Sequence, residues 1–156
     1  MKAQREAVDE VIVRIADLAD AAELARLNAA FNEVYEPPEA VAARLSNPGR
    51  VEMPLIATDG VRTVGFAALR IVPCVFYATP HAELTELYVE PAYRRRGIAR
   101  RLVALAERLA VDRGADRLVI LTSVDNRAAR ALYASMGYVP EDLAMVKGLA
   151  ASEADT

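Results

Sequence analysis

Apolar and polar positions change period several times along the chain, and each change marks an element. Val11, Val13 and Ile15 alternate with Arg14, which predicts a first strand. Asp20 and Glu23 then read as a capping box opening a helix with Leu24, Leu27 and Phe31 on one face, ending before Pro37-Pro38. A second helix is predicted over residues 38–45, starting on a proline whose missing N–H costs nothing in a first turn. Asp59-Gly60 divides residues 55–58 from 61–64, a strong hairpin signal, so strands two and three pair. A fourth strand, about residues 82–89, feeds an arginine-rich turn. The helix after it sets Ile98, Leu102, Leu105 and Leu109 on a core stripe and ends at Gly114.

Residues 117–123 predict a fifth strand. Its continuous apolar run, Leu118-Val119-Ile120-Leu121, suits a central strand covered on both faces, joined to the fourth by a parallel right-handed crossover. Residues 126–136 form a last helix closed by Gly137, and Tyr138-Val139 with residues 143–149 supply one or two closing strands. The expectation is an α/β (α+β) fold with a single-domain mixed β-sheet of six to seven strands flanked by about four helices.

Composition narrows the class. At 156 residues and 54% hydrophobic, the chain supports one compact domain, expected over residues 8–149, with residues 150–156 as a short flexible C-terminal tail. Its net charge of −3 argues against a nucleic-acid partner. Lys2, Gln4, Arg5 and Glu6 open the chain with no apolar signal segment. The longest stretch free of charged residues, 71–82, contains Pro73 and Pro80 and is too short to span a membrane. A cytoplasmic protein with no membrane partner is expected. The lone Cys74 cannot form an internal disulfide, and no metal site is expected.

Against that acidic balance, Arg94, Arg95, Arg96, Arg100 and Arg101 crowd together around Gly97. Helix N-termini leave backbone N–H groups unpaired and carry partial positive charge, so a basic turn entering a helix suits a polyphosphate. No Gly-x-x-x-x-Gly-Lys and no Gly-x-Gly occurs, which removes the Walker and dinucleotide alternatives.

Arg94-x-x-Gly97-x-Ala99 resembles the Gln/Arg-x-x-Gly-x-Gly/Ala signature of the GCN5-related N-acetyltransferase (GNAT) family. A second block, Asn126-x-Ala128-x-x-x-Leu132-Tyr133-x-x-x-Gly137-Tyr138, is similar to another family signature, with the alanine shifted one place or supplied by Ala129. The order of elements matches the family over about residues 10–149. The resemblance implies acetyl-CoA (coenzyme A) as cofactor. Its diphosphate would lie on the main chain of Arg94, Arg95, Arg96, Gly97, Ile98 and Ala99, and its pantetheine on the backbone of Leu87, Tyr88 and Val89, in a gap between strands four and five. Asn126 would bond the pantetheine arm, and Tyr133 would sit by the sulfur and protonate the departing thiolate. A reference pKa near about 10 keeps a tyrosine protonated for that task.

The implied activity is acetyl transfer to a primary amine of a small molecule or peptide, by direct attack in a ternary complex. Glu83 is the preferred general base, Glu86 the second and His81 the third. Simple alternation sets Glu83 and Glu86 on opposite faces of the strand unless a bulge intervenes. Glu33, Tyr35, Glu36, Glu39, Phe76 and Tyr77 occupy the segments that shape the acceptor pocket in the family, which favours a cationic amine. A homodimer is a further expectation. The competing class is a non-catalytic acyl-CoA-binding regulatory module.

Overall fold

The computed structural model describes residues 10–149. The expected tail, 150–156, and residues 8 and 9 of the expected domain lie outside the described residues. The chain divides into two units after Thr122. Among the described residues no helix is long and apolar enough to cross a membrane.

The first unit runs β1 (Ile12–Ile15), a 3-10 turn (Leu18–Asp20), α1 (Ala21–Asn32), α2 (Pro38–Leu45), β2 (Glu52–Asp59), β3 (Arg62–Val72), β4 (His81–Val89), a second 3-10 turn (Pro91–Tyr93), α3 (Ile98–Asp112) and β5 (Leu118–Ile120). The sheet order is β1-β2-β3-β4-β5. Neighbours are antiparallel except β4 and β5, which are parallel. The hairpin forms where the sequence predicts it. Asp59 faces Arg62 across a two-residue turn, and Gly60 takes the left-handed φ of 60° that such a turn requires.

Leu24 and Leu27 of α1 pack on Ile56 and Phe66 from one face of the sheet, with Ala16 beside them. On α3 the buried positions are Ile98, Leu102, Val103, Ala106 and Ala110. The stripe is therefore rotated from the expected one: Leu105 and Leu109 are only half-buried. Small alanines let this helix lie close to the strands, and Ala110 clusters with Ala82 and Ala115.

The helix start also differs. Asp17, not Asp20, is the N-cap: it accepts from the Ala19 amide at 2.8 Å, while Asp20, third residue of the capping box on the 3-10 turn ahead of α1, accepts from the Asp17 amide at 2.8 Å. Asp20 also receives two hydrogen bonds from Arg14, at 2.7 and 2.9 Å. One buried carboxylate thus serves the capping box and a guanidinium fork together.

The second unit contains α4 (Arg127–Ser135), bringing the α-helices among the described residues to the expected four. Among the described residues the sheet has five strands, not six or seven. Residues 136–149 form no strand, and Leu143, Met145, Val146 and Leu149 are exposed. An apolar run has no register until a ladder partner supplies one, so hydropathy alone overstates strand content here. For the same reason β5 is an edge strand of three half-buried residues and not the central strand its sequence suggests.

Candidate active site

The strand that carries the expected base is bulged. Ala68 lies opposite Glu86 but Leu69 lies opposite Leu84, so Thr85 is the extra residue. Arg70 faces Glu83, and positions 66, 68 and 70 of β3 share one face, the face that Phe66 packs under α1. Glu83 and Glu86 therefore lie on the same face, despite their odd separation. Asn32 at the end of α1 donates to Glu86 at 3.3 Å. Glu83 lies 3.7 Å from Arg70 and 3.9 Å from His81. Thr85 donates to Glu52 at 2.7 Å, and Glu52 is also 3.9 Å from Arg70. Three carboxylates and an arginine thus border one patch beside α1.

Beyond the bulge β4 loses its parallel neighbour. The ladder with β5 comprises Ala82–Leu118, Glu83–Val119 and Leu84–Ile120 and stops there. The rest of β4, including Leu87, Tyr88 and Val89, pairs only with β3, which matches the expected gap between strands four and five. The ring of Tyr88 stacks on Phe31 at 5.1 Å, on the α1 side. Its contribution toward a ligand on the open edge is its backbone.

After Val89 the chain turns through Pro91–Tyr93 into α3. Arg94 folds back to donate to the Val89 carbonyl at 2.9 Å, and its guanidinium lies 5.7 Å from the centre of the Tyr88 ring. Arg95 takes a left-handed φ of 63°, and Arg96 covers the Tyr93 ring at 5.1 Å. Ile98 is buried and Ala99 half-buried, so these two offer amides rather than side chains. Gly97 is the N-cap of α3, with a φ of 76° and no side chain closing the helix start. A Cβ built on Gly97 would meet no heavy atom within 4 Å. A helix start without a side-chain cap, with open space at its glycine and arginines on either side in sequence, has the donor set that fits a diphosphate.

In the second unit Asn126 caps α4, its Oδ1 accepting from the Ala129 amide at 3.1 Å. Only its NH2 group is left to donate to a ligand. Tyr133, two turns along, is 9% exposed and sets its ring edge-on to Tyr138 at 5.9 Å. Burial pushes the Tyr133 phenol above its ordinary pKa, which strengthens its hold on the proton.

The model of the Acetyltransferase (GNAT) family matches residues 19–138. The chain belongs to this family. The membership bears out the resemblance and, with it, the acetyltransferase class and the coenzyme A cofactor. An uncharacterized N-acetyltransferase of Bacillus subtilis, YhfO, is 33% identical over 81% of this chain and 88% of its own length. A mycothiol acetyltransferase of Jonesia denitrificans is 32% identical over 60% of this chain, and the match spans 28% of that protein. Among solved structures, an aminoglycoside N-acetyltransferase in complex with CoA has the same fold, with a TM-score of 0.76 at 20% identity, covering 90% of this chain and 95% of that one.

Several side chains at the GNAT site escape a reading from sequence. Gly65 on β3 is one: a Cβ there would stand 2.9 Å from the Tyr88 carbonyl oxygen and 3.2 Å from a Val89 methyl. Its lack of a side chain lets β3 approach the end of β4 that leads into the arginine turn. Glu52, Arg70 and Thr85 are others, brought together by cross-strand register that no local pattern encodes. Glu90 is a further case, only 9% exposed between Arg26 and Arg62. The acceptor-side aromatics differ in the opposite sense, since Tyr35, Phe76 and Tyr77 are largely exposed.

Proposed function

We propose that this GNAT chain moves the acetyl group of acetyl-CoA to a primary amine of a small molecule or peptide, by direct attack in a ternary complex, with residues 8–149 working as one catalytic domain. The observation that carries the reading is the open edge of β4, where the ladder to β5 ends at Leu84–Ile120 and the strand runs on into the glycine-started helix α3. Acetyl-CoA supplies the activated acetyl group. Residues 94–99 hold its diphosphate through main-chain amides, the backbone of Leu87, Tyr88 and Val89 lines its pantetheine, and Asn126 donates its amide N–H to that arm.

Glu86 accepts the proton that an ammonium acceptor must lose, directly or through water. Glu83, 3.7 Å from Arg70 and 3.9 Å from His81, is the alternative base on the same face. The Tyr133 hydroxyl, kept protonated by its raised pKa, donates a hydrogen bond to the departing sulfur and is the proton source nearest it in this reading. Carboxylates Glu52, Glu83 and Glu86 on the α1 side favour a cationic acceptor, and the aminoglycoside N-acetyltransferase of like fold supports a small amine. A cytoplasmic setting, supported by the single cysteine, and a homodimer, testable by sedimentation velocity, complete the reading.

The test is turnover of acetyl-CoA against aminoglycosides, polyamines and peptide N-termini, following free thiol. Catalytic thiol release supports the reading. Stoichiometric binding without release supports a non-catalytic acyl-CoA-binding module instead. Glu86→Gln should lower kcat at neutral pH by about 10²-fold with coenzyme A affinity unchanged.

A further inference from the structure

The geometry points to Glu90 as a positioning residue for the cofactor turn, clamped by Arg26 from α1 and Arg62 from β3. It rests on the assignment of residues 94–99 to the coenzyme A diphosphate. Arg62 donates to both Glu90 oxygens, at 2.9, 3.0 and 3.1 Å, and Arg26 donates to Oε1. Arg26 is itself fixed: it donates to Glu23 at 2.7 and 3.0 Å and to the Thr63 carbonyl at 2.7 Å, while the Thr63 amide donates to Glu23 at 3.2 Å.

The Glu90 backbone is held as firmly. Its amide donates to the Val64 carbonyl at 2.8 Å, and its carbonyl accepts from Tyr93 at 2.9 Å. Side chain and backbone together pin the residue at which β4 hands over to the 3-10 turn. Burial raises the pKa of Glu90, but the hydrogen bonds from Arg26 and Arg62 outweigh it, so the carboxylate stays ionised. A network running from α1 through β3 to the turn keeps the amides of residues 94–99 aimed before any ligand arrives, and preorganised donors bind more tightly than donors ordered on binding.

Charge and position make opposite predictions. A carboxylate just upstream of a polyphosphate site repels the ligand, so its neutralisation alone would tighten binding. As a clamp, Glu90→Gln should weaken coenzyme A binding by calorimetry about tenfold, because the turn must then be ordered on binding. Glu90→Asp, which keeps the charge and shortens the reach, should weaken it in the same direction. In the ligand-free protein, amide exchange at residues 94–99 should rise in both variants relative to that of α3. Equal or tighter binding together with unchanged exchange overturns the inference. Faster exchange in a protein whose wild type binds no coenzyme A would uphold the clamp and remove the cofactor assignment.

Discussion

Three glycines make a controlled experiment. Gly60, Gly97 and Gly114 all have left-handed backbones, with φ of 60°, 76° and 85°, and a Cβ on any of them meets no heavy atom within 4 Å. Alanine at each site therefore costs backbone strain and no clash, about 1–2 kcal/mol. At this chain length each kcal/mol lowers Tm by about 2–4 °C, so all three variants should melt roughly 2–8 °C below wild type. Coenzyme A affinity should separate them. The proposed diphosphate site uses the open space at Gly97 to reach the amides that start α3, so a methyl group there should displace the ligand. Loss of one charge-assisted hydrogen bond costs about 1.5–3 kcal/mol. At about 1.4 kcal/mol per decade, Gly97→Ala should weaken Kd about tenfold to a hundredfold. Gly60→Ala and Gly114→Ala should bind as wild type does. Calorimetry with coenzyme A, paired with melting curves, reads both quantities. If Gly97→Ala binds as tightly as the other two, the anion site is not on this turn.

The other predictions are shorter. Gly65→Ala pushes a methyl group against the Tyr88 carbonyl, 2.9 Å away, and should cost about 1–3 kcal/mol in urea unfolding; an unchanged midpoint would refute the close approach. Tyr133→Phe should lower kcat about 10²-fold with little change in the acetyl-CoA KM. Because burial raises the pKa of Tyr133, the acid form persists above its ordinary value of about 10, so a loss of wild-type activity below that pH that vanishes in the phenylalanine variant would contradict the assignment. Asp20, Glu23 and Glu90 are all held below the ordinary carboxylate pKa: hydrogen bonds from Arg14 and Arg26 lead for the first two, and for Glu90 the Arg26 and Arg62 bonds override burial. The stability they contribute is present above about pH 4 and is lost as pH falls through their lower folded values. Melting temperature should drop on acidification below that point, and Asp20→Asn should flatten the slope; an identical slope would show the Arg14 pair to be inert.

Local chemistry was legible in the sequence where one segment decides it. Pro38 at the start of α2, the Asp59-Gly60 hairpin, Gly97 between strand and helix, and Asn126 two turns before Tyr133 are each fixed by a few adjacent residues, and the sequence places all of them. What depends on register was not legible. Whether Glu83 and Glu86 share a face is settled by one extra residue, Thr85, and bulges leave no compositional mark. Glu90 reads as a surface glutamate until Arg26, 64 residues upstream, folds over it. The apolar run 143–149 has the composition of a strand, but pairing is a property of two segments.

The bulge at Thr85 works as a phase shift within a single strand. Were Thr85 drawn into the ladder in strict alternation with residues 86–89, Ala82 and Leu84 would turn out of the hydrophobic interior and Glu83 would be driven into it, whereas deleting Thr85 would leave every other side chain on its present face. One residue that takes no place in the ladder thus brings two carboxylates of odd spacing onto a single face.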